Sequence, residues 1–279
     1  MKTSKTILGS LLSIICLLVA QFVSQFLIIL LNKCHVIYLV SITLGAILYV
    51  VITYYLIQLM VKKYLKINLE KVGISKFKIS FKWLIVAVLL PVLVVGIFLI
   101  FKGKIVNTGY DMENVIFNIL YGSLAAGIVE ELVFRGVILN LLSMRWNYLI
   151  SILVPSIIFA SLHIISRNLS LISIIQLMVA GTLVGVMFSL IEMSQHSVWN
   201  NAIVHSIWNL ITSALFAVSV TPKNDALFTY VVKSKNMLLT GGDFGMESSV
   251  IAIIGYIIVI LIVYKAGIEA HKFSQDKLG

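Results

Sequence analysis

The chain has 279 residues, of which 60% are hydrophobic and 11% charged, with a mean hydropathy of +1.08 and a formal charge of +10. A soluble domain is about half apolar and about a quarter charged, so these values exclude a soluble globular enzyme and a disordered chain alike. The basic residues sit mainly at the ends of apolar runs, which is the orientation signal of a membrane protein and not the footprint of a nucleic-acid binder.

One transmembrane helix needs roughly 20 apolar residues, so this length holds about seven to nine passes. Apolar stretches between polar punctuation predict eight spans, at 7–32, 37–61, 83–101, 114–144, 148–165, 171–193, 198–218 and 249–267. The expected fold is therefore all-α: a polytopic integral membrane protein with its polar site in the bundle core. Residues 1–279 read as a single membrane domain with a motif-bearing core at 114–218. The first span follows Met1 to Lys5, which resembles a signal-peptide start. Its apolar run is too long for a signal peptide and no small-x-small cleavage site follows, so it reads as a retained helix. Cys16 and Cys34 lie in or beside this span and show neither a disulfide framework nor a metal-binding spacing.

Between the second and third spans stand Lys62, Lys63, Lys66, Lys71, Lys76, Lys78 and Lys82 against a single acid, Glu70. Positive residues accumulate on the cytoplasmic side. With eight spans, both termini then join this loop in the cytoplasm, adding Lys2, Lys5, Arg145, Lys265, Lys272 and Lys277. The opposite side receives Lys33, Lys102, Lys104, Arg167, Lys223, Lys233 and Lys235, a bias of thirteen to seven. The loop also offers attraction to anionic lipid headgroups, or a docking site for an acidic partner. The longest non-membrane stretch, 219–248, contains the turn-rich run from Thr240 to Ser248 and reads as a structured re-entry that caps the last helix, or as a border of a substrate path.

Ionisable groups inside a span are costly and mark functional candidates, and few are present. Glu130, Glu131 and Arg135 fall in the fourth span, His163 in the fifth, Glu192 at the end of the sixth, and His205 and Asn209 in the seventh. Glu131 and Arg135 are four apart and can pair on one helix face. Glu130 is turned about 100° away and has no partner on its own helix, while Phe134 lies one turn from it and can wall off its surroundings. Phe159 stands one turn before His163. Asn201, His205 and Asn209 recur every fourth residue, so they line one face of the seventh helix.

An unpaired Glu, two His and an Asn suit general-base hydrolysis. The carboxylate and one His deprotonate a water, and the other His and the amide donate hydrogen bonds to a developing oxyanion. No nucleophilic Ser or Cys stands in a motif, and no His-Glu-x-x-His zinc helix is present. Glu130, His163 and His205 could instead hold zinc. Three other readings of the same residues are a charge network that only joins helices, a non-catalytic immunity or scaffold protein that binds a membrane partner, and a transporter using Glu130 and Glu131.

In order on successive spans, Glu130-Glu131-x-x-x-Arg135, Phe159-x-x-x-His163 and His205-x-x-x-Asn209 resemble the CAAX protease and bacteriocin-processing (CPBP, or Abi) family. The resemblance covers about 80 residues in the middle of the chain. It implies eight helices and a metal-free, glutamate-type intramembrane endopeptidase. In it Glu130 and His163 activate water, His205 and Asn209 form the oxyanion hole, and Glu131 and Arg135 orient the site. Its substrates are membrane-associated proteins or peptides: prenylated CAAX proteins in eukaryotic relatives, and peptide maturation or bacteriocin self-immunity in prokaryotic ones. The short, Lys- and Ile-rich chain fits the prokaryotic branch. One geometric tension follows from the predicted boundaries. His163 lies near one end of its span and Glu130 mid-span, so the fifth helix should continue toward Leu169 or the helices should tilt.

Overall fold

The structure is a computed structural model that describes residues 1–106, 111–165 and 167–276, with side chains in the last helix described to 266. Lys277 and the side chain of Lys272, both counted in the charge bias, lie outside the described residues. Uninterrupted apolar sequence produces long helices: α1 (Thr3–Lys33), α2 (Tyr38–Leu59), extended by a π-helical stretch (Met60–Leu65), and α3 (Phe81–Ile100). Next comes α4, a continuous helix over 112–143 in which π-helical turns at Asn118–Ala125 and Leu132–Ile138 flank a regular stretch at Ala126–Glu131. It is followed by α5 (Tyr148–Leu162), α6 (Leu171–Gln195), α7 (Val198–Asn209) with a π-helical end (Leu210–Leu215), and α8 (Val250–Asp276). Helix starts are set locally: the side chains of Asn147 and Ser170 accept the backbone N–H groups of Ile150 and Ser173.

Four helical stretches, Thr3–Lys33, Tyr38–Leu65, Phe81–Ile100 and Leu171–Gln195, are long and apolar enough to cross a membrane. With the shorter apolar helices they form an all-helical polytopic membrane protein, as the sequence predicts. Their outward faces carry large exposed apolar side chains such as Phe22 at 72% and Leu93 at 60%, which suit lipid and not water.

The sequence does not foresee a small sheet at one end of the bundle. Strand β1 (Gly103–Val106) follows α3, and β2 (Phe216–Ser219) and β3 (Phe228–Val232) follow α7, in the order β1-β3-β2. β3 is antiparallel to β1 and parallel to β2. The Tyr230 hydroxyl donates to the Phe101 carbonyl at 2.7 Å, fastening the sheet to the end of α3. The stretch before α8 is tied down as well: the Ser248 hydroxyl donates to the carbonyls of Gly241 and Gly245.

Close helix approach depends on small residues, as in other membrane bundles. A Cβ on Gly181 would lie 2.8 Å from Ala160 Cβ, and one on Gly185 would lie 2.8 Å from Ser156 Cα, so α5 and α6 touch backbone to backbone. A Cβ on Gly127 would meet Ser206 N at 2.7 Å. That contact presses α4 against α7 and brings Glu130 and Glu131 beside His205. At the end away from the sheet, the Lys-rich segment folds onto α6 and α7. Val198 N–H donates to the Gly73 carbonyl at 3.0 Å, the Trp199 indole to the Ser75 carbonyl at 2.8 Å, and Ser80 N–H to the Asn200 side chain at 2.9 Å. All seven lysines of this segment point to the exterior.

Candidate active site

Adjacent positions on α4 give Glu130 and Glu131 opposite surroundings. Glu131 is fully buried, and its Oε1 accepts both from Arg135 Nη1 at 3.0 Å and from His205 Nδ1 at 2.9 Å. The Arg135 guanidinium is also fully buried. It lies 4.6 Å from the Phe159 ring centroid, 5.2 Å from Phe188 and 5.8 Å from Phe134, so three aromatic faces take up part of its charge. Among the described residues, Glu131 Oε2 and Arg135 Nε and Nη2 have no hydrogen-bond partner. Glu130, by contrast, keeps 23% of its side chain exposed and faces a cavity.

His205 joins the two acids. Its Nδ1–H is committed to Glu131, and its Nε2 points to the Glu130 side, 3.7 Å from Oε2. Phe188 stacks on the imidazole at 5.0 Å and Phe159 meets it edge-on at 5.9 Å, fixing the ring plane. His163 follows the last residue of α5. Its Nδ1 lies 2.8 Å from the Phe159 carbonyl, and because a carbonyl only accepts, Nδ1 carries the proton and Nε2 is left with a lone pair. Phe159 contacts the His163 ring at 4.6 Å and so spaces the two histidines. Asn209, one turn beyond His205, lines the same cavity and its amide makes no hydrogen bond among the described residues.

The cavity encloses about 370 Å³ and is lined by Glu130, Phe159, His163, His205 and Asn209. Four of the five, all but the ring of Phe159, offer polar side chains to the same space. The other three residues picked out by sequence take other places. Arg135 and Glu131 lie behind the cavity wall. Asn201 does not line the cavity: it is fully buried and donates to the Phe188 carbonyl at 3.0 Å, tying α7 to α6. Phe134 is buried against Phe159 at 5.3 Å. Glu192, the remaining acid of the spans, accepts from Asn140 at 3.1 Å below Gly73 and is likewise absent from the lining. Helix α5 does not reach Leu169. It stops at Leu162, and the depth difference is bridged because the cavity itself runs from Glu130 past His163 toward the sheet end.

Several lining residues escaped the sequence reading. Glu247 Oε1 accepts from Ser213 Oγ at 2.8 Å and Thr212 Oγ1 at 3.0 Å, and the Tyr256 hydroxyl donates to its backbone carbonyl at 3.1 Å. Asn118 donates to the carbonyls of Ser213 and Asp225, both at 3.0 Å. Arg167 lies over the Phe244 ring at 4.7 Å, and Phe244 faces His163 at 6.4 Å. Asn118, a polar residue inside an apolar run, could have been singled out from sequence. Glu247 and Phe244 could not, because loop residues carry no period that assigns them to a face.

Among the described residues no three His, Cys, Asp or Glu side chains converge closely enough to hold a metal ion.

A helical membrane bundle that buries a carboxylate, two histidines and an amide around one cavity has the layout of an intramembrane hydrolase. The family model described as type II CAAX prenyl endopeptidase Rce1-like matches residues 112–211, which include all three motifs. Over this region the chain is similar to the CAAX protease (CPBP) family, whose members are membrane proteases. No curated protein and no solved structure matches the chain.

Proposed function

We propose that this protein cleaves a peptide bond of a membrane-associated protein or peptide through Glu130-activated water, without a metal or other cofactor. The observation that carries this reading is the contrast between two neighbouring acids: Glu131 is consumed by Arg135 and His205, whereas Glu130 is free to meet water in the cavity. Glu130 takes one proton from water while His163 Nε2 accepts a hydrogen bond from the O–H that remains and orients the oxygen. The water oxygen bonds to the substrate carbonyl carbon. His205, held by Glu131 and protonated on Nε2, donates to the oxyanion together with the Asn209 amide. Glu130 then passes its proton to the leaving amine as the C–N bond breaks. Placing a carboxylate and an imidazole on the same water suits this step, since proton transfer by a positioned group typically contributes about 10²–10⁴-fold.

We further assign residues 114–218 as the catalytic core of one membrane unit and place both termini in the cytoplasm, on the thirteen-to-seven charge bias. Peptide maturation and bacteriocin self-immunity are the roles that suit the chain best, with the bilayer and a membrane peptide as its partners. Cleavage of a peptide panel by purified protein, wild type beside Glu130→Gln, with and without a strong chelator, tests the reading. Activity lost in the variant and indifferent to chelator supports it. Activity removed by chelator and restored by zinc would turn Glu130 and the histidines into metal ligands, and full activity in Glu130→Gln would end the proposal.

A further inference from the structure

The depth of the catalytic groups, taken with where the cavity stops, decides which end of the bundle admits a substrate. Glu130 and His205 form the cavity floor. The exposed lining residues, Arg167 between α5 and α6 and Asp225 before β3, both lie at the sheet end, and Phe244 and Glu247 before α8 lie beside them. Among the described residues the Lys-rich end contributes nothing to the lining.

That second end is closed by packing. Val133, Val137, Ile138 and Leu141 are buried to within 1% exposure between the catalytic floor and the Lys-rich segment. Asn140 binds Glu192 below them, and the Gly73 carbonyl is held by Val198 N–H. An extended peptide could pass this layer only by stripping its backbone N–H and C=O groups of partners, each at a cost of several kcal/mol in an apolar interior. The seven exposed lysines at this closed end mark it as the cytoplasmic face.

We infer that the catalytic cavity opens on the non-cytoplasmic face of the membrane, and that its substrates are exported peptides or non-cytoplasmic juxtamembrane segments of membrane proteins. Among the described residues, packing leaves no opening from the Lys-rich end to Glu130 for a cytoplasmic protein's C-terminal peptide. The substrate half of this inference rests on the protease mechanism proposed above. The sidedness half rests on packing and charge alone.

Two readouts keep those halves apart. In the full chain with Cys16→Ser and Cys34→Ser, single Asp225→Cys and Lys71→Cys variants are treated in cells with a membrane-impermeant maleimide. The Asp225→Cys variant is expected to label in intact cells to the level reached after permeabilisation, and the Lys71→Cys variant only after permeabilisation. The reverse pattern overturns the sidedness. A quenched peptide panel is then offered to intact cells and to inverted vesicles carrying wild type or Glu130→Gln. Cleavage by intact wild-type cells, absent in the variant, supports the substrate class, and Glu130-dependent cleavage confined to inverted vesicles overturns it. If neither preparation cleaves while Asp225→Cys labels from outside, the sidedness stands and the assignment of exported substrates falls with the mechanism.

Discussion

The two ends of the bundle use similar apolar helices and treat their polar side chains in opposite ways. Toward the Lys-rich end, Glu131, Arg135, Asn140 and Glu192 bind other protein groups, and Arg135 is ringed by three aromatic faces. Toward the sheet end, Glu130, His163 and Asn209 turn functional atoms into a cavity of about 370 Å³. Burying a polar group costs free energy unless it finds a partner. The paired groups therefore serve architecture, and the groups left facing the cavity are the ones available for chemistry. His205 belongs to both regions, with one nitrogen in each.

The largest effect expected of this contrast is on activity. Glu130→Gln should lower kcat by about 10²–10⁴-fold while leaving the melting temperature in detergent nearly unchanged, because its carboxylate faces the cavity and meets His205 Nε2 only at 3.7 Å. A variant that melts early would move Glu130 into the architectural half.

Arg135→Met should act the other way, through stability. It leaves Glu131 charged and buried with His205 as its remaining partner, a loss of about 3–5 kcal/mol by thermal or denaturant unfolding. The double variant Glu131→Gln/Arg135→Met should recover much of that stability yet stay inactive, since His205 then lacks its carboxylate. Recovery of activity with stability would show that Glu131 has no part in holding the imidazole.

Gly127→Ala tests the seam between the two regions. Its Cβ would crowd Ser206 N and Cα, at 2.7 and 2.8 Å, so α4 and α7 must separate at a cost of about 1–3 kcal/mol. Gly96→Ala in α3 meets nothing within 4 Å and should be neutral or slightly stabilising in the same unfolding assay.

The smallest effect concerns the loop beside the open end. Hydrogen bonds from the Ser170 hydroxyl and amide, then from the Ser173 hydroxyl, hold the Asp243 carboxyl below the usual range. A carboxylate with a lowered folded value stabilises its anchor above the ordinary carboxyl pKa of about 3.9, and that contribution fades as pH falls from there through the lowered value. Protease protection of the 237–248 segment should therefore hold from neutral pH to about pH 5, decline below about 3.9, and be reduced at neutral pH in Asp243→Asn. Equal protection of variant and wild type at neutral pH would remove the anchor role.

Much of the site was legible because helical spacing turns sequence into geometry. The Glu131–Arg135 pair follows from an interval of four, and the outward turn of Glu130 from the 100° step. The same rule grouped Asn201 with His205 and Asn209, but periodicity names a face without saying how far along it the cavity extends. Asn201 fell on the closed side, where Phe188 supplies its acceptor. The sheet was not legible, because four- and five-residue strands whose paired residues lie up to 129 positions apart leave no periodic trace. Glu247 was hidden for the same reason, its place being set by Ser213, Thr212 and Tyr256 and not by any local pattern.

The sequence by itself determined the all-helical membrane class and the three motifs that resemble a protease family, since hydropathy and helical intervals are local properties. Only the tertiary structure decided which of two adjacent acids is sealed, which imidazole nitrogen each histidine leaves free, and toward which end the cavity opens. Those outcomes depend on close backbone approach at Gly127, Gly181 and Gly185 and on partners from distant helices. No local interval encodes such contacts, because each is the joint result of segments that meet only once the bundle has packed.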